Sequence, residues 1–194
     1  MSEHIRPQPS AGSESQPIKR TYIGQGEYAI DSGDYAVIAT LLGSCVSCCI
    51  WDPIRKIGGM NHVLFTDNSS NAADVFGHGV NGMELLINGL LRLGADRRSR
   101  LGSDRRSLKA KVFGGAKMIQ GLSDEGTRNG EFVIEFLARE EIEYLGGDLG
   151  GTRARRIEFW PGSGRARMKY VEQAVPVKEV KPPKKDDSGD LELF

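Results

Sequence analysis

Two short apolar runs, at residues 46–51 and 57–65, flank a polar segment at residues 52–56. The first run is rich in residues that favour β-strands, and the second contains two glycines. The polar segment opens with Asp52 and Pro53, a pair typical of turns because the proline ring fixes φ. This pattern predicts a β-hairpin.

A turn centred between Pro53 and Ile54 would place Cys45 directly opposite His62. In an antiparallel pair, opposed residues have Cα atoms about 4.5–5.5 Å apart and side chains on the same face. The prediction depends on the turn, because a shift of one residue would put the two side chains on opposite faces.

Two helices are predicted from apolar residues that recur at positions i, i+3, i+4 and i+7. They lie at residues 82–93 and 128–140. We expect Asn81 to cap the first helix, and Thr127 or Asn129 to cap the second, because their side chains can accept hydrogen bonds from free helical N–H groups.

The remaining strand-like runs lie at residues 26–30, 35–42, 110–113, 142–145, 156–160 and 165–171. The last two are expected to form a hairpin, and the polar residues 66–79 are expected to form a loop. Two helices and at least six strands, mainly joined by hairpins, indicate an α+β fold in which helices pack on antiparallel sheets in a layered sandwich.

The length of 194 residues suits one domain with tails. Residues 1–20 are rich in serine, proline and charge and are predicted to be disordered, and residues 172–194 are predicted to be a flexible tail. The domain is therefore expected at residues 21–171.

Lysine plus arginine equals aspartate plus glutamate at 26 each, so the net charge favours neither nucleic acid nor an anionic membrane as partner. No apolar run approaches the roughly 20 residues of a membrane span, and the N-terminal segment lacks the apolar core of a secretory signal. Three cysteines do not form a disulfide framework. We therefore expect a cytoplasmic protein without membrane insertion.

Residues 92–111 contain eight basic residues and two aspartates. They form either a solvated loop or a docking patch for an acidic partner. A role in binding nucleic acid is a weaker hypothesis, because no aromatic residues are interleaved with the charges.

Cys45 and His62 have the residue types of an activated nucleophile. A free thiol is only about 3% ionised at pH 7, and a neighbouring imidazole can take its proton. Gly43 and Ser44 allow a tight bend whose backbone N–H groups could stabilise an oxyanion beside the sulfur. The alternative is a buried strand cysteine and a core histidine. The three histidines have no metal-ligand spacing, so no metal is expected.

Four segments, LGSCVSCCIWDP, GGMNHVLF, GMELLINGLL and KVFGGAKM, occur in this order along the chain. Together they resemble the chemoreceptor glutamine deamidase family of bacterial chemotaxis, the CheD proteins, from about residue 23 to residue 167. The resemblance implies a layered α-β-β-α sandwich. It also implies a site that hydrolyses the side-chain amide of selected glutamines in methyl-accepting chemotaxis receptors.

In this resemblance Cys45 matches the family nucleophile, His62 the base and Thr40 the third residue, and no cofactor is required. It also implies that the loop with Gly114 and Gly115 lies near the site, although the two glycines alone are equally consistent with a tight turn without chemistry. A CheC-type phosphatase is a second expected partner. Two alternatives stay open: a module that binds receptors or that phosphatase with little catalysis, and a Cys-His amidase with another acyl acceptor.

Overall fold

The structure is a computed structural model and describes residues 17–64, 72–94, 105–118 and 125–171. Within these residues the chain forms nine strands and two α-helices. The strands are β1 Lys19–Tyr22, β2 Tyr28–Ser32, β3 Ala36–Leu42, β4 Val46–Asp52, β5 Ile57–Asn61, β6 Lys109–Gly114, β7 Glu143–Leu149, β8 Arg155–Trp160 and β9 Arg165–Tyr170. The helices are α1 Ala72–Gly94 and α2 Glu125–Arg139.

The strands form two sheets, in the orders β1-β3-β8-β9 and β2-β5-β4-β6-β7. Most strand pairs are antiparallel, and β1–β3 and β6–β7 are parallel. The chain crosses between the sheets at β1 to β4, continues within the five-stranded sheet from β4 to β7, and returns to the four-stranded sheet with β8 and β9. The predicted α+β class, with two packed and mainly antiparallel sheets, is confirmed. In the described residues both helices lie on the five-stranded sheet, so the layers there have the order α-β-β.

Two apolar cores hold the layers together. In the described part of the chain, both helices pack on the five-stranded sheet, where Val46, Leu86 and Val133 are fully buried. The second core lies between the sheets and includes Met60 and Phe159. Every residue of β4 is buried because this strand is covered on both faces, which explains its continuous apolar run.

The predicted hairpin of β4 and β5 is confirmed, but its predicted register is wrong. Cys49 pairs with Met60, and Val46 bridges to Val63. The register therefore places Ser47, not Cys45, opposite His62. The residue opposite His62 is thus two positions later than predicted. Because side chains alternate between the two faces of a strand, a shift of two leaves Cys45 and His62 on one face of the sheet, as diagonal neighbours.

The turn of this hairpin explains the shifted register. The Asp52 carboxylate accepts hydrogen bonds from the N–H groups of Ile54 and Arg55, at 2.9 and 3.0 Å. Lys56 has φ 54° and donates its N–H to the Asp52 carbonyl at 2.9 Å. The loop therefore has four residues between Asp52 and Ile57, and its centre lies one position later than predicted.

Both helices begin earlier than predicted. Helix α1 starts at Ala72, so the predicted loop at residues 66–79 is wrong from that point on, and α2 starts at Glu125. Asn81 and Asn129 therefore lie inside helices and do not cap them. Tertiary packing overrides the low helix propensity of glycine here: a Cβ on Gly126 would lie 2.4 Å from the Gly115 carbonyl oxygen, so close approach favours glycine.

Strands β2 and β3 are both predicted from the sequence, and they belong to different sheets, so the chain crosses from one sheet to the other between them. The predicted hairpin of β8 and β9 is confirmed. Strand β7 continues through glycines at which the prediction ended it, with a bulge opposite β6 between Ala110 and Val112.

Strand β1 begins at Lys19, two residues before the predicted start of the domain at residue 21. The predictions for residues 1–16 and for the C-terminal segment 172–194 lie outside the described residues. In the part of the chain that the structure describes, no helix is both long enough and apolar enough to cross a membrane.

Candidate active site

A hydrogen bond between Thr40 and His62 joins the two sheets. Thr40 lies on β3 in the four-stranded sheet, and His62 follows β5 in the five-stranded sheet. Thr40 and His62 are buried, with 5% and 7% of their surface exposed, and Thr40 Oγ1 lies 2.8 Å from His62 Nδ1. The structure thus brings together two of the three residues that the resemblance implies.

The Ile23 carbonyl fixes the direction of this hydrogen bond. It lies 2.8 Å from Thr40 Oγ1 and can only accept, so the single hydroxyl proton of Thr40 points to it. The hydroxyl oxygen is then left to accept from His62 Nδ1–H. In the neutral ring Nε2 consequently carries the lone pair, which is the state required of a general base.

His62 Nε2 is buried and has no hydrogen-bond partner among the described residues. A buried nitrogen with an unused lone pair is costly in a protein interior. Such an atom is suited to accept a proton from a group that comes close during a reaction.

Cys45 immediately precedes β4, on the same sheet face as His62. It is the one partly exposed thiol of the three, because Cys48 and Cys49 are completely buried. Burial raises the pKa of both of those thiols well above the ordinary range of cysteine. Cys45 is therefore the one cysteine of the three that is not fully buried.

The resting charge states of Cys45 and His62 follow from their surroundings. Burial raises the pKa of the Cys45 thiol, and its own backbone N–H partly opposes this. Burial lowers the pKa of the His62 imidazole, and the Ile23 carbonyl and the Glu27 carboxylate partly oppose this. Both shifts favour a neutral thiol and a neutral imidazole over a preformed ion pair.

Three consecutive carbonyl groups around Cys45 accept hydrogen bonds from one side. The Gly43 carbonyl accepts from Ala116 N–H at 2.9 Å, and the Cys45 carbonyl accepts from Gly115 N–H at 2.8 Å. Between them, the Ser44 carbonyl accepts from Asn129 Nδ2 at 3.1 Å.

In a trans peptide the N–H points away from the C=O. The N–H groups of Ser44 and Cys45 therefore point away from the loop and helix that hold the carbonyls. An oxyanion site needs N–H groups that point toward the reacting atom, and these two point away from the contacts that hold the carbonyls.

The glycine pair Gly114 and Gly115 packs directly against Cys45. Their φ values are 117° and 67°, in the region that favours glycine. A Cβ on Gly114 would lie 2.1 Å from the Cys45 carbonyl oxygen, and a Cβ on Gly115 would lie 2.5 Å from the Gly126 carbonyl oxygen. Two side chains would thus push the Cys45 segment and α2 away from this loop.

Sequence reasoning missed two groups of this site, the Ile23 carbonyl and the Asn129 amide. Asn129 was predicted only as a possible cap, yet it is fully buried. An asparagine on the apolar stripe of the predicted helix, with Val133 at i+4 and Phe136 at i+7, is the signal that could have marked it.

Within the basic segment 92–111, three of the described basic residues contact other parts of the chain. Arg106 and Lys109 form ion pairs with Glu141 and Glu143, both at 3.1 Å, and Lys111 donates to the Gly164 carbonyl. Residues 95–104 lie outside the described residues, so the docking patch stays a prediction. Among the described residues, no group of three or more His, Cys, Asp and Glu side chains is arranged to hold a metal ion.

The fold and site define a layered α+β protein with a partly exposed cysteine on the same sheet face as an imidazole that is hydrogen-bonded to a threonine. Comparison with known proteins identifies the family of this protein. The family model described as CheD chemotactic sensory transduction matches residues 65–170, which begin after Cys45 and His62. The chain belongs to the CheD family.

Curated relatives support the same family over most of the chain. The "Probable chemoreceptor glutamine deamidase CheD" of Caulobacter sp. (strain K31) is 43% identical, over 93% of this chain and 96% of the relative. The protein with the same description in Acidiphilium cryptum (strain JF-5) is 48% identical, over 82% of both chains. A solved structure, Neisseria meningitidis protein NMB0706, covers 70% of this chain and 64% of its own, with 11% identity and a TM-score of 0.41. That similarity is too weak to support an argument.

Proposed function

We propose that this protein is a protein-glutamine deamidase that converts selected glutamine side chains of methyl-accepting chemotaxis receptors to glutamate and releases ammonia. The descriptions of its relatives support this substrate class. The observation that carries the chemistry is the His62 imidazole, whose Nδ1–H is held by Thr40 while Nε2 is buried without a partner.

In the first step His62 Nε2 takes the Cys45 thiol proton as Sγ attacks the glutamine side-chain carbonyl carbon. The C=O electron pair moves to oxygen and forms a tetrahedral oxyanion, which the N–H groups of Ser44 and Cys45 stabilise. The neutral resting pair supports proton transfer during attack over a preformed thiolate.

Collapse of the intermediate breaks the C–N bond. The His62 imidazolium gives its proton to the leaving nitrogen, so ammonia departs and a Cys45 thioester remains. His62 then removes a proton from water, which attacks the thioester and releases glutamate while the proton returns to the sulfur. Thr40 keeps the imidazole in the required tautomer throughout. The three cysteines are free, which suits a reducing cytoplasm as the location of the reaction.

The test is incubation of the purified protein with a receptor cytoplasmic fragment, followed by peptide mass spectrometry. Deamidation gives a one-dalton gain at specific glutamines, which should disappear in Cys45→Ala. Cys48→Ala is the matched control, because its thiol is fully buried; circular dichroism checks that both variants fold. Retained deamidation in folded Cys45→Ala would refute the mechanism. Binding without any mass gain in the natural protein would favour the adaptation module instead.

A further inference from the structure

The amide side chain of Asn129 is buried in the interior directly behind Cys45. Asn129 lies near the start of α2, is fully buried, and donates from Nδ2 to the Ser44 carbonyl at 3.1 Å. We propose that Asn129 is a positioning residue that holds the Ser44–Cys45 peptide plane, so that the Cys45 N–H faces the oxyanion. This inference rests on the proposed amide hydrolysis.

Peptide planarity connects Asn129 to that N–H. The Ser44 carbonyl and the Cys45 N–H belong to the same peptide unit and point in opposite directions. A donor that fixes the carbonyl therefore fixes the N–H as well. Rotation of this plane would turn the N–H away from the reacting atoms without moving the sulfur far.

The neighbouring peptide units are fixed by the backbone. The carbonyls of Gly43 and Cys45 accept from the N–H groups of Ala116 and Gly115. The Ser44 carbonyl between them is held by a side chain, so a substitution can release this unit and leave its neighbours in place.

Helix α2 is docked closely enough to make Asn129 a rigid support. A Cβ on Gly126, one turn before Asn129, would lie 2.4 Å from the Gly115 carbonyl oxygen. The helix start and the glycine pair therefore contact each other through backbone atoms. Side chains that are locked by such packing position a reacting group better than side chains on free loops.

The Cys45 N–H is close to its own sulfur and partly opposes the rise that burial causes in the pKa of that thiol. In the tetrahedral intermediate the oxyanion is bonded to the carbon that the sulfur has attacked. The same N–H is thus near both the thiolate and the oxyanion. Its loss should affect thiol ionisation and catalysis together, which a purely structural role of Asn129 would not do.

The experiment compares Asn129→Leu and Asn129→Asp with a matched control, Asn88→Leu. Asn88 lies on the other helix, and its Nδ2 contacts Glu84 at 3.3 Å. In Asn129→Leu we expect kcat to fall by about ten- to a hundredfold with KM unchanged, since removal of a whole oxyanion donor costs about 10²–10³-fold. We also expect a higher Cys45 thiol pKa, measured as the pH dependence of alkylation by iodoacetamide.

Asn129→Asp keeps the shape of the side chain but presents an acceptor to the Ser44 carbonyl. A protonated carboxyl regains a donor. The kcat of this variant, relative to that of the natural protein at the same pH, should therefore rise as the pH falls. This variant also decides the question if the leucine variant fails to fold.

The inference is overturned if folded Asn129 variants keep the natural Cys45 thiol pKa, whether or not kcat changes. It is also overturned if Asn88→Leu changes that pKa equally. The alkylation measurement needs no receptor. If the natural protein does not deamidate, the proposed function fails, and the Cys45 pKa in the Asn129 variants still decides the role of Asn129.

Discussion

Replacement of Thr40 by valine tests whether the inter-sheet hydrogen bond sets the state of His62. Valine has nearly the shape of threonine, so the change removes the hydroxyl with little loss of packing. Two hydrogen bonds of 2.8 Å disappear, one to the Ile23 carbonyl and one from His62 Nδ1–H.

The expected cost follows from these two contacts. A buried polar group that loses its partner costs about 1–3 kcal/mol. Two buried groups, the Ile23 carbonyl and the His62 Nδ1–H, lose a partner, so we expect Thr40→Val to lower the free energy of unfolding by about 2–6 kcal/mol in total. The imidazole also loses the acceptor that holds its proton on Nδ1, so we expect kcat to fall by about ten- to a hundredfold, or about 1.4–2.7 kcal/mol in barrier.

Three measurements check this expectation. Urea denaturation gives the stability, receptor deamidation gives kcat, and nitrogen NMR of the imidazole gives the tautomer in a chain with three histidines. Thr152→Val is the matched control, because Thr152 is exposed in the segment between β7 and β8. The reasoning is refuted if Thr40→Val keeps both the natural kcat and the proton on Nδ1 of His62.

Two further predictions concern pH and the glycine pair. Burial lowers the pKa of His62 in the folded state, so the unfolded state binds more protons as the pH falls below about 6.5, and stability should decline from that pH downward. In thermal unfolding measured across acidic pH, His62→Gln should flatten this decline. An unchanged slope would contradict the prediction. An alanine in a left-handed conformation costs about 1–2 kcal/mol. Gly114→Ala should cost more than this, because its Cβ would lie 2.1 Å from the Cys45 carbonyl oxygen. Gly26→Ala is the control and should cost only that amount, because Gly26 has φ 80° and an added Cβ would have no atom within 4 Å. Equal costs in urea denaturation would argue against the close contact at Gly114.

The sequence predicts local structure here better than partners across the fold. Alternating and apolar runs identify the hairpin of β4 and β5, and turn residues locate its loop. The register fails by two residues because the Asp52 carboxylate extends the turn, and this contact is invisible in the strand pattern. The shared face of Cys45 and His62 survives because side chains alternate with a period of two.

Long-range placement could not be predicted from the pattern. The residue pattern of a strand does not show which sheet the strand joins, so the sequence did not predict that β2 and β3 belong to different sheets. Nothing in the composition around Thr40 shows that its hydroxyl meets an imidazole from the other sheet. Asn129 reads as a helix cap because propensity is local, whereas its burial depends on the glycine pair that lets α2 approach.

The contact between Thr40 and His62 has a consequence for when the site forms during synthesis. Strand β3 lies between β1 and β8, and β8 begins only at Arg155. At about 5–20 residues per second, β8 is made roughly 5–20 s after His62. Cys45 therefore emerges from the ribosome well before the strand that completes the sheet behind Thr40. During synthesis the thiol is therefore present before the strand that helps to hold Thr40 in place. The growing chain carries an incomplete site during the period in which it is close to the glutamines of other proteins.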